Sequence, residues 1–359
     1  MWPDRRLLDL FKIDHPIVLA PMAGAVDAAL VIAVAEAGGL GSLPVALFNE
    51  QQMRTQVEKV RAATRKPINL NFFCHTPPVP SNAREHAWRE TLKPYYVELG
   101  IDPAAPVPSS NRTPFDAALC AAVEDLKPEV VSFHYGLPEF VLLKRVKAAG
   151  CTVMSSATTV AEARWLEANG CDAVIAQGYE AGGHRGMFLT DNLATQVGTF
   201  ALVPQIADAV KLPVIAAGGI GDARAIAAAF ALGAAGVQIG TAYLFCPESK
   251  ILPPHRAALK AVRDDGTEMT NVMTGRPARG VINRVMRELG PISAIAPEFP
   301  LAAGALAPLH AKAQAQGSGD FSSMWAGQAA SLGRELPARE LTVRLVEETQ
   351  ALMKRMAGG

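Results

Sequence analysis

Charge is scarce in this chain and evenly balanced: 34 Lys and Arg stand against 34 Asp and Glu, and charged residues make up 19% of the 359. Such a balance gives no basic stripe for nucleic acid or an anionic membrane and no acidic interaction tail. Cysteine is limited to Cys74, Cys120, Cys151, Cys171 and Cys246, without CxxC spacing, which excludes a thiolate metal site and a disulfide framework and suits a reducing cytoplasm. The HExxH pattern is absent and the seven histidines are dispersed, so no metal is expected. Long hydrophobic runs are missing as well. The most apolar stretch, 28–48, is broken by Glu36 and by Gly38, Gly39 and Gly41, and reads as a buried helix followed by a strand rather than a membrane span. The opening residues, MWPDRRLLDLFKIDHP, lack a sustained apolar segment and a small-residue cleavage site, so no secretion signal is expected.

What the chain does have is a strict alternation of short apolar runs with helical segments. Strands are predicted at 17–22, 40–47, 67–73, 130–135, 152–157, 172–176, 213–217 and 236–240. Helices are predicted between them at 28–37, 51–63, 115–126, 139–149, from Thr159 to about Gly170, 193–210 and 223–232. Thr159 and Glu162 have capping-box spacing, and Asp222 suits an N-cap. Eight such units predict an α/β fold, a closed (β/α)8 TIM barrel spanning 1–246. Residues 74–114, interrupted by Pro77, Pro78, Pro80, Pro94, Pro103, Pro106 and Pro108, read as an insertion after the third strand, with a short helix near 83–93. Beyond Cys246 the rhythm stops. The segment 247–336 is expected to form a smaller, α-rich domain capping the barrel mouth, and 337–359 a terminal amphipathic helix packing back on the barrel.

The stretch around which the chain is organised is AQGYEAGGHRG, 176–186, which sets one imidazole, His184, among four glycines at the end of the sixth strand. Two further glycine loops, 217–222 and 238–241, follow the last two strands, where barrels commonly bind phosphate through backbone N–H groups. Met22, Asn71, Gln177 and His184 end strands on the same face, offering apolar contact, amide hydrogen bonds and one acid/base group. Amides suit a ring edge of alternating donors and acceptors, which favours FMN over a sugar phosphate.

The motifs HPIVLAPMAG (15–24), QGYEAGGHRG (177–186), PVIAAGGI (213–220) and GAAGVQIGTAYLFCPES (233–249) closely resemble the nitronate monooxygenase family, and TGRPARG (274–280) and MWAGQAA (324–330) extend the likeness beyond the barrel. The resemblance implies FMN-dependent, metal-free oxidation of alkyl nitronates by O2 to a carbonyl compound and nitrite. Matched residue by residue, Pro21, Met22, Asn71, Gln177, Gly182, Gly219, Gln238, Gly240 and Thr241 are expected at the FMN, with Asn69 a rival for Asn71 on the same strand face. His184 matches the family's catalytic base, an imidazole whose ordinary pKa lies near working pH. His134, at the end of the fourth strand, is assigned to the substrate's nitro oxygens, with a structural hydrogen-bonding role as its alternative. Arg185 is read as a solvated loop residue or a steering charge, and Trp325 as core or flavin neighbour. The alternative activity is that of a related FMN-dependent NAD(P)H reductase of the enoyl-acyl-carrier-protein or quinone type. The partners implied are a small nitronate and O2, with neither nucleic acid nor membrane; a homodimer is left open.

Overall fold

A computed structural model describes residues 2–108 and 112–358; residues 109–111 of the expected insertion, with Met1 and Gly359, lie outside the described residues. The strands are β1 (Ile17–Leu19), β2 (Gly41–Pro44), β3 (Ile68–Phe73), β4 (Val130–His134), β5 (Thr152–Ala157), β6 (Ala173–Gln177), β7 (Gly183–His184), β8 (Val214–Ala217), β9 (Gly236–Ile239), β10 (Thr267–Thr270) and β11 (Ala278–Val281). Eight of them pair in parallel in the order β1-β9-β8-β6-β5-β4-β3-β2, and a parallel bridge between Val18 and Leu40 joins β2 to β1. The result is a closed (β/α)8 barrel. Its strands are buried on both faces because helices cover the outside and side chains fill the inside.

Several boundaries differ from the sequence-based expectation for local reasons. The single helix expected at 193–210 is a 3-10 turn, Leu193–Thr195, and a separate helix, Thr199–Ala209. The second helix starts where it does because Glu180, reaching over from the β6 loop, accepts the Thr199 N–H at 2.8 Å. The capping box at Thr159 is only half made. Thr159 Oγ1 accepts from Glu162 N, but the buried Glu162 carboxylate turns instead to Thr158 N at 2.7 Å and Phe188 N at 2.6 Å, tying down the chain beyond His184. Asp222 does cap its helix, accepting from Arg224 N at 2.9 Å.

The helix within 74–114 runs from Asn82 to Glu98, longer than expected, and continues through Pro94. Trp88, Leu92 and Tyr96 on it pack with Met286, Leu306 and Leu309 into a second core distinct from that of the barrel. Two hydrogen bonds lock this packing: Trp88 Nε1 donates to Ala302 O at 3.2 Å and Tyr96 OH to Ala305 O at 2.5 Å. Segment 247–336 holds the helices Pro253–Ala261, Arg284–Leu289 and Ala302–Ala315, and it is not helical alone. β10 and β11 in it form an antiparallel sheet whose third strand is β7 of the barrel loop. The terminal helix, Ala338–Met356, lies against the helices Ala28–Glu36 and Ala223–Ala231, and its Thr342 hydroxyl meets Tyr243 OH at 2.8 Å. Among the described residues no helix is long and apolar enough to cross a membrane.

Candidate active site

β7 is only two residues long, yet it decides where the imidazole stands. His184 pairs with Ala278 and Gly183 with Arg279 on β11, and Arg185 N donates to Pro277 O at 2.8 Å. The His184 carbonyl is held from the barrel side as well, accepting from Gln177 Nε2 at 2.9 Å and His134 Nε2 at 3.2 Å. The backbone of this histidine is therefore clamped between barrel and cap. Its ring nitrogen Nε2 lies 2.8 Å from Thr274 Oγ1, and the rings of Phe299 and Trp325 flank it at 5.2 and 5.3 Å.

The ring opens on a cavity of about 540 Å³ at the C-terminal ends of the barrel strands. Pro21, Met22, Asn71, His134, Gln177, Gly182, Gly219, Gln238, Gly240 and Thr241 all line this same cavity with His184, and so does Trp325. Asn69 does not line it. That residue is fully buried two positions earlier on β3, its Nδ2 donating to Ser42 Oγ at 3.0 Å and Ser132 Oγ at 2.9 Å, so Asn71 is the amide at the cavity wall. Gln177 spends its amide on the histidine loop, since Oε1 also accepts from Gly186 N at 2.7 Å. Thr241 Oγ1 accepts from Gly327 N at 2.9 Å and so ties the end of β9 to the cap. Gly182 is obligatory for the same closure, because a Cβ there would stand 2.5 Å from Gly327 N.

One residue takes up one of its two sequence-based alternatives, and another departs from both of its own. His134 has neither ring nitrogen free for a nitro group: Nε2 donates to the His184 carbonyl, and Nδ1 accepts from the Ser156 hydroxyl at 2.6 Å. Both bonds belong to the structural alternative, a support for the histidine loop. Arg185 is neither solvated nor steering. It is completely buried, with Nη1 donating to Gly178 O, Nη2 to Gln177 O and Nε to Gln196 Oε1. Arg276 lies with its guanidinium 4.1 Å over the Tyr135 ring and donates to Met187 O, while Arg279 donates to Tyr179 O and Thr267 O. Thr274 and Arg112 are residues of this region that the sequence reading did not single out for a role. Thr274 stood inside the quoted TGRPARG motif, but its bond to His184 needs the β7–β11 pairing to be seen.

Electrostatically the region favours neutral imidazoles and anions. Burial holds the His184 pKa well below its ordinary value, and Arg112, His134, Arg276 and His75 depress it further. Burial and Arg276 likewise bring His134 to about 3 and His75 to about 4. These depressed values predict acid sensitivity. Unfolded histidine takes up a proton near pH 6.5, whereas the three folded imidazoles do so only at lower pH. Stability should be full above pH 6.5 and fall as pH drops from there through the folded values, which urea midpoints measured between pH 7.5 and 4.5 would reveal; a midpoint flat down to pH 5 would contradict it. Among the described residues no group of three His, Cys, Asp or Glu is placed to hold a metal ion.

Barrel enzymes carry their chemistry at the C-terminal ends of the strands, and an imidazole held toward its neutral form at a cavity there puts this chain among them. Comparison with known proteins narrows the class. The nitronate monooxygenase family matches residues 4–348. The chain is 43% identical to a nitronate monooxygenase of Pseudomonas aeruginosa, over 96% of this chain and 98% of the relative, and 43% identical to one of Paraburkholderia phytofirmans, over 98% and 97%. Among solved structures it is similar to the nitroalkane oxidase of Streptomyces ansochromogenes, with a TM-score of 0.89 and 36% identity over 98% of this chain and 99% of the other. It is also similar to FabK of Thermotoga maritima, with a TM-score of 0.76 and 28% identity over 100% and 99%. The chain belongs to the nitronate monooxygenase family.

Proposed function

We propose that this chain binds FMN and oxidises alkyl nitronates with O2 to a carbonyl compound and nitrite, with His184 as the base that converts a neutral nitroalkane to its nitronate. The observation that carries the reading is the setting of His184: a half-buried imidazole at the cavity wall, held toward its neutral form by desolvation and by the facing guanidiniums of Arg112 and Arg276. A neutral imidazole accepts a proton, and nearby cations favour the anion that proton loss leaves on the substrate.

The residues fit FMN. Gly218 and Gly219 stand at φ 110 and 71, a left-handed pair that presents backbone to a phosphate beside the helix Ala223–Ala231. Gln238 Oε1 is buried without a partner and suits a ring N–H. Asn71, with Pro21 and Met22, would face the ring system, and Gly182, Gly240 and Thr241 the ribityl phosphate side. Bound there, FMN supplies the two-electron chemistry and the reactivity with O2. The protein's own part is to hold the nitro end near its cations, take the α-proton on His184 and exclude water through the cap. The five cysteines, free thiols in the structure, fit a reducing cytoplasmic setting.

The test begins with colour. Purified protein should carry a flavin spectrum that ethyl nitronate bleaches anaerobically, with nitrite appearing once O2 is admitted. The second reading, an NAD(P)H-dependent reductase, draws on the likeness to FabK; bleaching by NADPH with the nitronate inert would favour it, and failure to bind FMN at all would overturn both.

A further inference from the structure

We propose that Thr274 is the positioning residue of His184, its hydroxyl holding Nε2 so that Nδ1 faces the cavity as the base. The inference rests on the reading of His184 given above. Thr274 Oγ1 lies 2.8 Å from Nε2, and Thr274 is 1% exposed, at the wall of the same cavity. Its own proton has an acceptor within reach, the Arg276 carbonyl at 3.5 Å. A hydroxyl that donates to that carbonyl is left to accept from Nε2–H, which fixes the tautomer with its lone pair on Nδ1.

The backbone geometry shows why a side-chain anchor is needed. Pairing with Ala278 and the two bonds to the His184 carbonyl fix the main chain, but they leave the ring free to turn about its side-chain torsions. Thr274 removes that freedom. A hydroxyl also differs from the carboxylate that orients many catalytic histidines. A carboxylate at this distance would raise the imidazole pKa and favour the protonated form, whereas a neutral acceptor orients the ring and leaves it basic but uncharged. The charged and titratable groups facing His184, namely Arg112, Arg276, His134 and His75, all push in the same direction, toward the neutral ring. When Nδ1 takes the substrate's α-proton, the electron pair of the C–H bond passes to the nitro group, and the imidazolium keeps a charge-assisted Nε2–H···Oγ1 bond.

The experiment compares two substrates. Nitroethane needs proton abstraction and preformed ethyl nitronate does not, so kcat/KM is measured for both with wild type, Thr274→Val and Thr274→Ser. Thr274→Val is expected to slow nitroethane about tenfold or more while changing ethyl nitronate far less, as loss of a hydrogen bond to a charged group implies. The same substitution should move the acid limb of the nitroethane profile to lower pH, because the imidazolium loses its acceptor. Thr274→Ser, which keeps the hydroxyl, should restore both. Equal losses on the two substrates, an unmoved acid limb, or no rescue by Ser would overturn the proposal. Should Thr274→Val not fold, Thr274→Ala takes its place against the same criteria. Failure of the underlying reading looks different: wild type would then ignore nitroethane, or His184→Ala would turn it over normally.

Discussion

Replacing His184 by Ala is expected to slow turnover of neutral nitroalkanes by about 10²–10⁴-fold, the range for loss of a general base. Preformed nitronate should suffer much less, because its proton is already gone and the variant retains the cavity and its cations. The structure makes the prediction specific to His184. The two imidazoles that face it cannot substitute: His134 is engaged at both ring nitrogens, and His75 packs edge-on against Phe299 and does not line the cavity. The pH dependence follows from the direction of the shift. Since the folded pKa of His184 lies well below 6.5, the base form is already complete at neutrality. The wild-type kcat/KM for nitroethane should therefore be flat through pH 7 and fall only on the acid side of 6.5, and His184→Ala should lack that limb. Steady-state nitrite release measured between pH 5 and 8 checks both claims. A variant that loses nitroalkane and nitronate turnover in equal measure would show that His184 shapes the site rather than moves a proton.

How the barrel came to be legible in the sequence, and the cap sheet did not, is a matter of periodicity. β6 and β8 are largely apolar runs bounded by glycines, turns and caps, and parallel strands buried on both faces advertise themselves that way. β7 is Gly-His, two residues with no period at all, and its partner β11 lies far along the chain, so nothing local announces the pairing that positions His184. Cavity residues were legible for a related reason: each stands at or just beyond a strand end, where the barrel rule already points. The roles were harder. An amide such as Asn71 or Asn69 cannot be assigned from alternation, since both point to one face, and only depth in the barrel separates them. Polar groups that satisfy one another, such as His134 with Ser156 and the His184 carbonyl, look from sequence like groups that await a ligand. Arg185 misleads most, because an arginine between glycines reads as solvated when its three nitrogens in fact each donate to a carbonyl oxygen.

That buried guanidinium carries the second large expectation. Arg185→Met should destabilise the fold by about 3–5 kcal/mol, as breaking a buried charged hydrogen-bond cluster generally does. Methionine approximates the volume but offers no donor, so Gly178 O, Gln177 O and Gln196 Oε1 each lose a bond now made at 2.5, 2.7 and 3.0 Å. An unsatisfied buried acceptor costs about 1–3 kcal/mol, and three together reach the range stated. Desolvation works against the wild-type residue too: burial and Arg279 bring its pKa down to about 10, while Glu162 and Glu180 oppose the fall. It nevertheless remains charged at neutral pH, which is why the hydrogen bonds and those two carboxylates matter so much. Arg185→Lys should recover only part of the loss, because an ammonium cannot span the same three acceptors with a planar fork. The damage should reach function, since Gln177 and Gly178 begin the loop that ends in His184, and Gln177 also grips that loop through Gly186. Urea denaturation of wild type, Arg185→Lys and Arg185→Met should give midpoints in that descending order with similar slopes. A Met variant within about 1 kcal/mol of wild type would mean that water enters the loop and satisfies the carbonyls in the guanidinium's place.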